Sequence, residues 1–153
     1  MADTVFRHAE EDPKFVPFKR PGNGGWVDVT AAEFAEQVSA VAKGLIASGI
    51  ELGDRVAILS ATRYEWVVVD YAIWTAGGCT VAIYETSAPD QAKWILEDSG
   101  TSLLVVENAK QADALKVVTE AAPDLREVLQ IEGAGAIEEL SKRGESVTDE
   151  QLH

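Results

Sequence analysis

The chain has 153 residues, with 13 Lys and Arg against 26 Asp and Glu, and a formal net charge of −13. With 46 % apolar and 25 % charged residues it reads as a soluble, folding chain, long enough for one domain that buries ~70 % of its unfolded surface. The acidic balance argues against nucleic acid or an anionic membrane as partner, because phosphate would be repelled over most of the surface.

The first twenty residues mix four basic with four acidic side chains and have no apolar core, so a secretory signal is not expected. Thr4 to Glu11 carries a weak helix signal. Phe15, Val16 and Phe18, then Pro21-Gly22-Asn23-Gly24-Gly25, then Trp26 to Val29 read as a hairpin around a Gly-rich turn. Thr30 and Glu33 have capping-box spacing, with Val29 and Phe34 placed as a hydrophobic staple. Phe34, Val38, Val41 and Leu45 recur at helical spacing until Gly49 stops the run.

Beyond Gly53 the pattern alternates between strand and helix. Arg55 to Ser60 is almost continuously apolar, as in a strand covered on both faces. Thr62 and Glu65 repeat the capping-box spacing, and Arg63 to Ala76 is predicted to be a largely buried helix despite Val67-Val68-Val69. Cys79 to Tyr84 reads as a strand, and Ser87 as the cap of a helix closed by Gly100. Ser102 to Glu107 is a strand, Asn108 and Gln111 open a helix that Pro123 ends, and Arg126 to Ile131 is a fourth strand. Strands separated by helices of this length predict a parallel α/β sheet, for which the order 2-1-3-4 is expected. Ile137 to Leu140 reads as one helical turn and Ser141 to Val147 as polar tail. Thr148 and Gln151 then form another cap-like pair just before the chain stops, which reads either as a frayed tail or as an element cut short by truncation. The expected division is 1–53 (helix, hairpin, helix), 54–140 (βαβ sheet) and 141–153 (polar tail).

In an open parallel sheet, ligands bind outside the carboxyl ends of the strands. Those positions hold Ser60 to Arg63, Tyr84 to Ser87, Glu107-Asn108 and Glu132-Gly133, with helix caps and solvated loops as the plainer explanation. Gly133-Ala134-Gly135 fails as a dinucleotide fingerprint because Glu138 stands where a third glycine is needed. The chain has no G-x-x-x-x-G-K-[ST] loop, and Gly22 to Gly25 lacks the strand-to-helix setting of a phosphate cradle. A Ser-His-Asp set would have to recruit His8 or His153, near opposite ends. Cys79, the single cysteine, excludes an internal disulfide and is expected to pack inside its strand. Asp54 is read as ending a turn, and Asp70 as a carboxylate in an apolar helix that wants a partner. Trp26, Trp66, Trp74 and Trp94 are spread over several elements, as core and interface residues are. No catalytic, cofactor-binding or metal-ligating residue is assigned.

The order of the segments nevertheless resembles a known one. Trp26 to Thr30 with Glu33-Phe34 is similar to the W-x-x-x-T-x-x-E-F opening of the adenylate-forming superfamily. Gly44-Leu45, Gly49-Ile50 and Gly53 to Ser60 resemble its GL-x-x-x-GI-x-x-GDRVAILS segment, and Arg63, Glu65-Trp66 and Asp70 match the next helix of the long-chain branch. Val81 to Ser87 with Gln91, Ile95-Leu96 and Asp98-Ser99 is similar to V-x-IY-x-TS-x-x-x-Q-x-x-x-IL-x-DS of long-chain fatty acid–CoA ligases.

The resemblance implies the N-terminal part of an AMP-binding ligase of fatty acid and lipid metabolism. Such an enzyme adenylates a fatty acid with ATP and Mg, then passes the acyl group to CoA. The family's phosphate loop, adenine segment, hinge aspartate and C-terminal lysine have no counterpart here. The fragment alone is therefore expected to be an inactive scaffold that binds none of these cofactors, with the remainder of the parent enzyme as its partner. An exposed sheet edge would then favour dimers or aggregates. The alternative is a free-standing α/β binding or partner module without enzymatic activity. The single cysteine fits a cytoplasmic setting, and the resemblance leaves a peripheral membrane position open for the parent.

Overall fold

A computed structural model describes residues 3–152. The first helix, α1 (Asp3–Glu11), precedes an antiparallel hairpin of β1 (Phe18–Gly22) and β2 (Gly25–Val29). The hairpin lies later in the chain than expected: Phe15 stays outside it, whereas Lys19, Arg20 and Pro21 pair with Asp28, Val27 and Trp26. Proline is tolerated there because a two-stranded ribbon has free edges.

Next comes α2 (Ala31–Ala47), with its capping box as predicted. Glu33 N–H donates to Thr30 Oγ1 at 3.3 Å, and Thr30 N–H donates to Glu33 Oε2 at 2.8 Å. Val29 and Phe34 are both buried beside it.

The parallel sheet is built from β3 (Arg55–Leu59), β4 (Cys79–Ile83), β5 (Leu103–Val106) and β6 (Glu127–Gln130), in the expected order β4-β3-β5-β6. The central strands β3 and β5 are buried nearly throughout, which explains their continuous apolar sequence. Alternate residues of the sheet feed two separate cores. Val56, Ile58, Leu103, Val105 and Leu129 pack with α2 and with α3 (Tyr64–Thr75) and α6 (Ala136–Arg143). Ala57, Leu59, Ile83, Leu104 and Val106 pack against α4 (Pro89–Ser99) and α5 (Ala109–Ala121).

Several local expectations are corrected. The second capping box does not form: α3 starts after Arg63, and the Glu65 carboxylate is taken by the Arg63 guanidinium at 2.7 Å. A charge-assisted bond of that kind outcompetes a backbone N–H. The cap of α4 is Ala88 rather than Ser87, with Gln91 Oε1 accepting from Ala88 N–H at 3.1 Å and Pro89 at the first helical position. Cys79 is exposed, because β4 is an edge strand and Cys79 stands at its start.

The segment after Leu140 is not a loose tail. Helix α6 continues to Arg143, whose guanidinium donates to both oxygens of Glu127 at 2.8 and 2.7 Å and also contacts Glu139. Gly144 is buried on α2, where an added Cβ would meet Ala40 O at 2.7 Å. Thr148 and Gln151 do make the cap-like pair, Thr148 N–H to Gln151 Oε1 at 3.1 Å, around a short 3₁₀ turn.

Candidate functional site

Three of the four loops at the carboxyl ends of the parallel strands meet. Pairing continues past the strands: Glu107 N–H donates to Leu59 O at 3.1 Å, and Glu132 N–H donates to Glu107 O at 2.8 Å. This holds Ser60-Ala61, Glu107 and Glu132 side by side, with Arg63 at the start of α3 reaching across them. Arg63 donates to Glu65 Oε2 at 2.7 Å and to Glu132 Oε1 at 2.5 Å, and stands 3.6 Å from Glu107 Oε1. The other Glu107 oxygen accepts from Ala61 N–H at 2.8 Å and from Ser60 Oγ at 3.4 Å.

The electrostatics follow from this crowding. The hydrogen bond that Arg63 donates to Glu65 raises the Arg63 pKa beyond its ordinary value, against the opposing effect of burial. Burial pushes Glu65 up, but the Arg63 hydrogen bond and charge win and hold its carboxyl below the usual range. Next to the cluster, burial pushes the Tyr64 phenol up to about 12. Its hydroxyl donates to Gln37 Oε1 at 2.7 Å, and Arg20 lies over its ring, 5.8 Å from the centroid.

This cluster forms a latch of ion pairs and hydrogen bonds across the strand ends. Its one cation is surrounded by three carboxylates, and the Glu107 oxygens are already engaged. A phosphate needs free backbone N–H groups or an uncommitted cation. At the starts of the flanking helices, Asn108 Oδ1 accepts from Gln111 N–H at 3.2 Å and Gln91 accepts from Ala88 N–H. Helix α3, by contrast, starts at Arg63 without a side-chain cap. No group of three His, Cys, Asp or Glu side chains among the described residues is placed to hold a metal ion.

The remaining residues singled out in the sequence lie apart from the latch. Tyr84, Ser87, Asp90, Gln91, Trp94 and Ile95 line a separate cleft of about 610 Å³ between the end of β4 and α4. Asp54 accepts from Glu51 N–H at 3.1 Å and from Arg126 at 3.3 Å, as a turn residue. Asp70 is only 8 % exposed on α3, and burial pushes its carboxyl up, partly offset by the Thr80 hydroxyl. That hydroxyl is itself buried without a well-formed hydrogen bond. Gly133 and Gly135 take positive φ values of 80° and 69° in the turn into α6, and Glu138 Oε2 fills the space beside Gly135. His8 belongs to α1, and His153 lies outside the described residues.

The sequence matches the AMP-binding enzyme family over residues 5–152. It is 46 % identical over 154 aligned positions to the long-chain-fatty-acid–CoA ligase FadD15 of Mycobacterium bovis, covering 99 % of this chain and 26 % of that protein. The FadD15 of Mycobacterium tuberculosis is 45 % identical with the same coverage, so the chain spans about a quarter of the length of these relatives. Among solved structures, the long-chain-fatty-acid–CoA ligase FadD1 of Archaeoglobus fulgidus superposes with a TM-score of 0.81 at 22 % identity, covering 94 % of this chain and 29 % of that one. A fatty acyl CoA synthetase of M. tuberculosis gives 0.79 at 22 % identity, covering 97 % and 28 %. At such identities the two structures speak for the fold alone.

Proposed function

The chain belongs to the AMP-binding enzyme family, and on that premise we propose that it is the N-terminal portion of a long-chain fatty acid–CoA ligase. The observation that carries this reading is the 46 % identity to FadD15, sustained over 99 % of the chain. The whole protein would join a fatty acid carboxylate to CoA as a thioester, at the expense of ATP and with Mg as its metal. No step of the reaction is assigned to the residues of this chain. Its role is scaffold. The Arg63 latch fixes the carboxyl ends of β3, β5 and β6 relative to α3, giving the rest of the enzyme a rigid wall to pack on.

Fatty-acid-dependent ATP–pyrophosphate exchange tests the proposal. The chain alone, with palmitate, ATP and Mg, is expected to show none. A chimera in which it replaces the matching quarter of M. tuberculosis FadD15 is expected to regain exchange and to form palmitoyl-CoA. Exchange by the chain alone would overturn the scaffold role, and a folded but silent chimera would overturn the ligase assignment.

A further inference from the structure

We propose that the cleft between the end of β4 and α4 is a docking groove for a basic amphipathic helix. This goes beyond the ligase reading and does not depend on it. Tyr84 is 85 % exposed and Trp94 is 65 % exposed, and both line the cleft with Ile95 between them and the core. Two large aromatic side chains exposed on one groove are a costly surface for a lone protein and a usual one for a binding site.

The charges around the groove select its occupant. Asp90, Trp94 and Asp98 follow one another at four-residue spacing, so they form one stripe along α4. Glu85, beside Tyr84, is exposed as well. Glu97 is paired with Lys93, but among the described residues Glu85, Asp90 and Asp98 form no ion pair. A second copy of this chain would bring a net charge of −13 and the same carboxylates to the contact. A fatty acid or an anionic bilayer would bring negative charge too. Lys or Arg side chains, by contrast, can stack on Trp94 and pair with the carboxylates on either side. The apolar face of the same helix would lie on Tyr84 and Ile95, the helix-in-groove mode of recognition. The cleft runs beside a helix and holds about 610 Å³, room for the anchoring side chains of one helix face.

The test uses a peptide of Leu and Lys at amphipathic spacing, about 18 residues long so that a helix can form. The isotope-labelled chain is titrated with it and followed by amide NMR. A scrambled Leu/Lys peptide and a Leu/Glu peptide of the original spacing serve as controls. Saturable binding is expected, with shifts confined to residues 84–98 and no binding of either control. Trp94→Ala should weaken it about tenfold. Asp90→Asn with Asp98→Asn should weaken it roughly threefold and flatten its salt dependence. Trp26→Ala, which removes an exposed aromatic on the hairpin, should leave it unchanged. The proposal fails if binding does not saturate, if the scrambled peptide binds equally, or if both groove variants bind like the parent. It also fails if palmitate or phosphatidylglycerol vesicles shift residues 84–98 more strongly than the basic peptide. Self-association of the chain that Trp94→Ala abolishes would overturn it as well, by giving the groove to a second copy.

Discussion

The two faces of the parallel sheet are finished differently. On one face, α2, α3 and α6 close over the strands, and Val38, Val41, Leu45, Ile73 and Leu140 are fully buried between them. Contact there is close enough that a Cβ on Gly44 would meet Leu140 O at 2.0 Å. An aromatic ladder continues that face outward, Phe34 to Tyr71 at 5.7 Å and Tyr71 to Trp74 at 5.2 Å between ring centroids. On the other face, among the described residues, α4 and α5 cover the strands around Leu96, Leu104 and Leu115, and Tyr84, Trp94 and Val117 are left in solvent. The same sheet thus carries a more enclosed core on one side and a more exposed one on the other.

The largest expected effect is a pair of truncations across the sheet. Leu45→Ala should cost about 4 kcal/mol, because α3 and α6 enclose the site and it cannot collapse. Leu115→Ala should cost about 2 kcal/mol, because α5 borders solvent and can settle inward. Urea unfolding of both variants measures the difference, and equal losses would break the contrast.

Gly44→Ala adds one methyl against the backbone of α6 and should cost about 3 kcal/mol, since backbone cannot step aside as a side chain can. The same denaturation experiment reads it, and a neutral result would mean that the α2–α6 contact is loose.

A smaller effect concerns Asp70. Its folded pKa is raised by burial, so the folded state holds its proton more tightly than the unfolded state. Stability should therefore fall as pH rises from the ordinary aspartate value through the raised one, and the charged form carries the full cost above it. Asp70→Asn should stabilise the chain at neutral pH by on the order of 1 kcal/mol or less, and the gain should vanish in acid. Thermal melts at neutral and acid pH check the sign. The smallest effect is Trp94→Ala, which should change stability by less than about 0.5 kcal/mol because the ring lies in solvent.

How much of this was legible in the sequence depended on how local the determining contact is. The apolar runs of β3 and β5, the Thr30–Glu33 box and the strand alternation are written in adjacent residues, and they hold. The Thr62–Glu65 pair has the same spacing and fails, because Arg63 competes for Glu65 and is itself fixed by Glu132, 69 residues away. The exposure of Cys79 depends on β4 being an edge, which no local pattern states. Residues 141–143 read as polar tail, yet they complete α6 because Arg143 finds Glu127 on β6. For the site, the four loops to search were readable from strand ends. That three of them converge on Arg63 while Tyr84 to Ser87 open a separate cleft required the fold.

Amide hydrogen exchange, compared between the isolated chain and the same residues within the FadD15 chimera, tests the division between the faces most directly. In the isolated chain, α2, α3 and α6 should already exchange only through global unfolding, and α4, α5 and the end of β4 should exchange faster. In the chimera, protection should rise chiefly at the strand ends around Arg63, Glu107 and Glu132, where the rest of the enzyme is proposed to pack, and change little at residues 84–98. A gain spread evenly over both faces, or one confined to α2 and α6, would contradict the account.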